Sequence, residues 1–365
     1  MDEKLSAYRG CLWGLAVGDA MGYTVDLKSW EEICNNYGPA GLLGYDLANG
    51  NAEITSHTQL AAYIANSLLA GVTRGRPEAY TTYAQQALRE WAKRQYFPRD
   101  PAPSRFWVAR LPELRRRHCR DARLPDILRG ESLGTPERPV NKSTAPGSLT
   151  TGVAVGVFFQ PKRISPLMLG TLAAEISAMT HGDPEAFLSA AVLAYAVAGV
   201  LQAPEYGLKE QFIQAYSVVE EQFGEQFSLK SIQQLFQKAL ELAETEDVNP
   251  REAMESLACF SAGSCLAGAV YASITNEDDF DGGIICAVNH SGASAAVGAV
   301  TGAILGARLG VYALPDFYIE SLDCIPALTE LADDLAQGSI TAGLFDTDWD
   351  QKYVHGIPIQ PPEEE

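Results

Sequence analysis

An all-α fold, built as a single compact multi-helix domain, is what this sequence predicts, and three observations carry it. Apolar residues recur at three- and four-residue spacing in nearly every segment between residues 166 and 310. Strand signals are nearly absent: Val153–Phe159 is the one β-looking run, and it reads equally well as buried helix. The stretch from Cys286 to Gly310, CAVNHSGASAAVGAVTGAILGARLG, carries Gly298, Gly302, Gly306 and Gly310 at a strict spacing of four. On an α-helix that spacing puts all of them on one face, where another backbone can come unusually close. Each glycine costs a helix about 1 kcal/mol relative to alanine, so the row needs a packing reason. We read it as the central, buried helix, with its N-terminus aimed at a ligand site. The polar turn Asn289-His290-Ser291-Gly292 stands ahead of it, where free amides and the helix dipole favour an anion. Its apolar run, Ala295 to Ala307, is too short to span a bilayer and is closed by Arg308.

In chain order, residues 3–21 form a helix that turns small-residue-rich at Gly10, Gly14 and Gly18. Residues 29–37 give a short helix, with Trp30, Ile33 and Tyr37 on one side, stopped by Gly38-Pro39. A glycine-rich loop through Gly50 leads to Ile54-Thr55-Ser56-His57-Thr58-Gln59, which opens a helix with Leu60, Ile64 and Leu68 on its apolar face. Residues 79–95 are amphipathic helix. From Pro98 to Pro146 the chain is an irregular excursion rich in proline and arginine. Its cluster Arg115, Arg116, Arg117, Arg120 and Arg123 reads as a solvated face, with a phosphate or partner site as the alternative. Helices then cover 166–179, 184–202, 208–223, 228–244, 250–274 and 278–288. Asp183-Pro184 and Asn249-Pro250 are caps followed by proline at the first helical position, and Ser228 is a further candidate cap.

The length of 365 residues admits two domains, but no linker, low-complexity stretch or internal repeat divides the chain. We expect one domain over residues 1–345 and a tail over 346–365, frayed at Pro361-Pro362-Glu363-Glu364-Glu365. A net charge of −19 argues against a nucleic-acid partner and against anionic membranes. Seven cysteines without a CxxC pair, mostly in apolar runs, fit reduced thiols in a cytoplasmic protein better than a disulfide scaffold or a zinc site. No apolar stretch follows the N-terminus as a signal peptide would require.

Four stretches are more polar than a helical core requires: Gly18-Asp19 to Asp26, Thr55 to Thr58, Pro146 to Thr150, and Asn289 to Ala296. Each falls at a helix end, where open amides and polar side chains suit a ligand. Each also has a plain structural reading: Asp19, Thr55 or Ser56 as helix caps, Gly147 as turn chemistry, Ser291-Gly292 as a loop. Taken together and in order, they resemble the ADP-ribosylglycohydrolase family. Gly10-Cys11-Leu12-Trp13-Gly14-Leu15-Ala16-Val17-Gly18-Asp19-Ala20-Met21-Gly22 is similar to its opening signature. Ile54 to Leu60 falls where the family has T-D-D-T-Q. Ala145-Pro146-Gly147-Ser148-Leu149 resembles its G-S/N-x-M-R ligand loop, and Met179-Thr180-His181-Gly182-Asp183-Pro184 its T-H-x-D/H segment. Val288 to Ala296 stands where the family has N-x-G-G-D-S/T-D-S/T. The resemblance covers roughly residues 5 to 340.

The resemblance implies an ADP-ribosyl ligand, presented as a small molecule or on an ADP-ribosylated protein, and a Mg²⁺ pair between the T-D-D-T and G-D-x-D segments. Here Ser56 and His57 replace the first two aspartates, and Ala293, Ala295 and Ala296 replace the second pair and the hydroxyl after it. Mg²⁺ needs anionic oxygens in near-octahedral array, so we expect no metal cofactor. Asp26 stands where relatives often carry glutamate. By the same resemblance the ligand-binding candidates are Asp19, Thr55, Ser56, Gly147, Ser148, His181, Asn289, Ser291 and Gly292. Three functions stay open: a binder of an ADP-ribose-like or nucleotide ligand without Mg-dependent hydrolysis, a metal-independent hydrolase using Asp26 and His57 as acid and base, and an interaction protein with a vestigial pocket.

Overall fold

The computed structural model describes residues 2–47, 50–73, 79–97, 104–119, 121, 124–337 and 347–355. These residues form helices and connecting turns, with no β-strand among them. In order the α-helices are α1 (Glu3–Val25), α2 (Trp30–Tyr37), α3 (Ser56–Thr73), α4 (Tyr80–Tyr96), α5 (Leu124–Arg129) and α6 (Thr151–Phe158). There follow α7 (Pro166–Ala178), α8 (Pro184–Gln202), α9 (Leu208–Phe223), α10 (Lys230–Glu244), α11 (Pro250–Leu257) and α12 (Ala262–Thr275). The last are α13 (Phe280–Val288), α14 (Ser294–Leu309), α15 (Asp316–Glu320), α16 (Ile325–Gln337) and α17 (Thr347–Asp350). The ambiguous run at Val153–Phe159 is therefore helical, and every residue of α6 is buried.

At the centre α1 and α14 lie antiparallel and back to back. A Cβ built on Gly10, Gly14 or Gly18 would overlap the backbone carbonyl of Gly306, Gly302 or Gly298, and the reverse holds for each partner; Gly22 meets Ser294 in the same way. The two rows of small residues interlock over four helical turns, so carbonyl oxygens of one helix rest on the Cα hydrogens of the other, a weak contact repeated many times. Gly310 departs from the expected row. It ends α14 at φ 73°, a left-handed conformation glycine reaches without strain, and rests on Ser6.

Caps explain most boundaries. Ser29 and Glu32 form a capping box on α2, Asp183 accepts from the amide of Glu185, and Asn249 accepts from those of Arg251 and Glu252. Ser228 is not a cap: α10 begins after Leu229, which makes no side-chain cap bond. The expected helix over 250–274 is broken at 258–261 into α11 and α12, where Ala258 and Cys259 both take positive φ, 64° and 36°. Ser261 then starts α12 through a capping box with Ser264. The buried helix α8 has the length and mean hydropathy, 1.7, to cross a bilayer, but 78% of that window is buried in the fold. Beyond α16, Trp349 donates to Thr73 at 3.1 Å and Tyr353 to Asp334 at 2.7 Å, holding residues 347–355 against the domain. The Pro361–Glu365 end, Arg120 and Arg123 lie outside the described residues. Arg116 pairs with Asp323. All seven cysteines are unpaired, and Cys11, Cys259, Cys265 and Cys324 are buried.

Candidate active site

The site lies where the C-terminal end of α1 meets the N-termini of α3 and α14. Buried Asp19, on α1, ties the first of these junctions. Its carboxylate accepts from the amides of Thr55 and Thr58 at 2.8 and 3.0 Å and from both threonine hydroxyls at 2.6 Å. This is a helix cap supplied from another helix, and it occupies both carboxylate oxygens and Thr55. Asp26 ties the second junction: its Oδ1 accepts from the amide of Ala295 at 3.2 Å, in the first turn of α14. The N-cap residue Ala293 has no side chain for that task, so a carboxylate from α1 already stands at the positive end of α14.

The turn before α14 is held by its own polar groups. Asn289 accepts from the amide of Leu42 and donates to the carbonyls of Leu42 and Ile285 at 2.8–2.9 Å. Ser291 donates to Glu255 at 2.8 Å and accepts from the amide of Trp30 at 2.9 Å. The Gly292 amide donates to His290 Nδ1 at 2.9 Å, and its carbonyl accepts from Leu27. His290 Nε2 sits 3.0 Å from the carbonyl of Ala287, which fixes the tautomer: Nε2 carries the proton and Nδ1 accepts.

Burial pulls the His290 imidazole down to about 4 from its usual 6.5, with the Ala287 carbonyl and Glu255 opposing. The unfolded chain therefore takes up this proton near pH 6.5 and the folded one only near 4. Stability is full above pH 6.5 and falls as the pH drops towards 4, by about 3 kcal/mol in total. Urea unfolding at successive pH values checks this: His290→Gln should flatten that part of the stability profile, and parallel profiles for parent and variant would refute it.

A cleft of about 270 Å³ opens beside these junctions, lined by Asp26, Leu27, Ser56, His57, Asp121, Leu124, Ala145, Pro146, Gly147, Phe260 and Ala293. A larger groove of about 580 Å³ shares Asp121, Ala145 and Phe260 with it and runs on past Asn141, Lys142, Ser143 and Thr144 to Thr180. Of the sequence candidates, Asp26, Ser56, His57 and Gly147 line the cleft together. His57 is buried, and its Nδ1 has no hydrogen-bond partner. His181 stands behind Gly147, where a Cβ would come within 3.0 Å of its Nε2, and pairs through Nδ1 with Thr180 Oγ1 at 2.8 Å. Asp19, Thr55, Ser148, Asn289, Ser291 and Gly292 do not line the cleft. Ser148 shares a 2.7 Å hydrogen bond with Ser177, and the others hold the helix ends described above.

Phe260 was not a candidate from sequence, yet it lines both cavities and is 56% exposed. It follows directly on the two positive-φ residues Ala258 and Cys259. The carbonyl of Cys259 accepts from the amide of Ala293 at 2.8 Å, which locks the turn to the start of α14. Backbone held in a sparsely populated conformation often marks a functional position. The signal available in the sequence was the Ser261…Ser264 capping box, which divides the apparent long helix immediately after Phe260.

The donors here do not fit a Mg²⁺ pair. Positions 56, 57, 293 and 295 offer a hydroxyl, an imidazole and two methyl groups, and the neighbouring Asp26 carboxylate is engaged by the Ala295 amide. Among the described residues no three His, Cys, Asp or Glu side chains group as a metal would require.

Helix ends converging on a cleft beside a larger groove place the candidate site within an all-α domain. The sequence model of the ADP-ribosylglycohydrolase family matches residues 1–344, and the chain belongs to that family. A solved chain of an ADP-ribosylglycohydrolase-related protein complex superposes with a TM-score of 0.55 at 20% identity, covering 93% of this chain and 100% of that one. At that identity the likeness is one of fold. No curated protein matches the sequence.

Proposed function

We propose that the protein binds an ADP-ribose-like nucleotide, free or carried on an ADP-ribosylated protein, without Mg²⁺-dependent hydrolysis. The observation that carries this reading is the joined cleft and groove, one end lined by Asp26 and His57 and the other by Lys142 and Thr180. The groove, about 580 Å³, falls within the roughly 300–1,000 Å³ usual for small-molecule sites, and the cleft of about 270 Å³ adjoins it. In this reading the ribosyl end occupies the cleft beside Asp26 and His57. The diphosphate runs along residues 142–147 towards the ammonium of Lys142, and the purine stacks on Phe260.

Titration calorimetry with ADP-ribose tests it. The expected dissociation constant lies between about 1 μM and 1 mM, that is about −8 to −4 kcal/mol, unchanged by Mg²⁺ or by a chelator. Phe260→Ala should weaken binding roughly five- to tenfold through lost stacking, with the melting temperature kept. No binding at several millimolar would leave the pocket vestigial, and affinity that rises with Mg²⁺ would restore a metal site. Release of ADP-ribose from a modified protein in the presence of chelator would instead support hydrolysis by Asp26 and His57.

A further inference from the structure

Leu27 is 54% exposed, lines the cleft beside Asp26, and takes φ 60°. A left-handed backbone costs any residue that carries a Cβ and is free of strain for glycine, and leucine gains nothing by pointing into water. The turn itself is fixed by main-chain bonds: the amide of Leu27 donates to the carbonyl of Gly292 at 3.0 Å, and that of Lys28 to Val25 at 3.0 Å. Glycine would satisfy both bonds at lower cost, so the backbone does not explain why leucine stands here. The surroundings give a reason. Leu124, Ala145, Pro146 and Ala293 line the same cleft, so apolar side chains surround Asp26 and His57 there.

We infer that Leu27 is a specificity-determining residue, which selects ligands carrying an apolar group on the anomeric carbon of the ribosyl end. This rests on the nucleotide-binding reading above. The group leaving the cleft would lie on the Leu27 side chain and complete its burial, which the unsubstituted nucleotide sugar leaves undone. Residues held at positive φ cluster at ligand clamps and active sites, which motivates the reading.

The test compares two probes, ADP-ribose and its anomeric phenyl glycoside, on the full-length parent and on Leu27→Gly. The parent should prefer the phenyl glycoside by roughly tenfold, the worth of burying part of a leucine against a ring. Leu27→Gly should melt at or above the parent temperature, since glycine relieves the positive φ, and should lose that preference. Leu27→Met, unbranched and still apolar, should recover most of it. Equal affinity of the parent for both probes, or an unchanged preference in Leu27→Gly, overturns the selectivity while leaving the nucleotide site in place. Binding of neither probe overturns the function proposed above and the selectivity with it.

Discussion

Gly302→Ala should destabilise the protein by about 3 kcal/mol or more, although it adds a single methyl group to a helix that ordinarily gains from alanine. The new Cβ would overlap the carbonyl of Gly14 in α1, and the contacted atoms are backbone, which cannot rotate away. Relief requires α1 and α14 to separate along their whole length, because the same contact repeats at Gly10, Gly18, Gly298 and Gly306. A dense interior transmits that displacement to every layer packed on the pair. Gly44→Ala is the control, since a Cβ there meets nothing within 4 Å. Chemical unfolding of the two variants should separate them clearly. A Gly302→Ala protein with the parent's midpoint would show that the two helices do not pack as described.

The second large effect is expected at Asp19. Asp19→Ala leaves the amides and hydroxyls of Thr55 and Thr58 without their acceptor in a buried place, at a cost of about 3–5 kcal/mol. The first turn of α3 would loosen with it, and that turn carries Ser56 and His57 into the cleft. Asp19→Asn keeps the shape and one acceptor oxygen, so its loss should be intermediate. Urea unfolding followed by far-ultraviolet circular dichroism measures both. A cost under about 1 kcal/mol for Asp19→Ala would mean that the bond from the His57 amide to Thr55 Oγ1, at 3.2 Å, suffices to start α3 and that the carboxylate is dispensable.

The same aspartate shows how far a sequence can be read. Asp19 stood out because a carboxylate in a small, apolar helix is expensive, and that cost is visible without coordinates. Two explanations satisfied it, a ligand contact or a cap. The choice depended on whether the start of α3 came within 3 Å, a matter of packing between segments 36 residues apart. Asn289, Ser291 and Gly292 divided in the same way. They are polar because the turn must tie down the loop at Leu42, the start of α2 and Glu255, and local spacing carries no record of those partners.

Periodicity and glycine spacing were enough to fix the all-α class, the buried position of α14 and the need for a close-packed partner, because each depends on neighbours within a few turns of one helix. The caps at Asp183 and Asn249 were legible for the same reason. That positions 56, 57, 293 and 295 carry no carboxylate was also plain in the sequence, and metal chemistry follows from residue type. The tertiary structure alone decided that α1 supplies the facing glycine row and that Asp19, within α1, and Asp26, just after it, cap α3 and α14. It also decided that Leu27 and Phe260, unremarkable in sequence, border the cleft. Those facts depend on which distant backbones meet and on φ angles imposed by their meeting, and a one-dimensional pattern encodes neither.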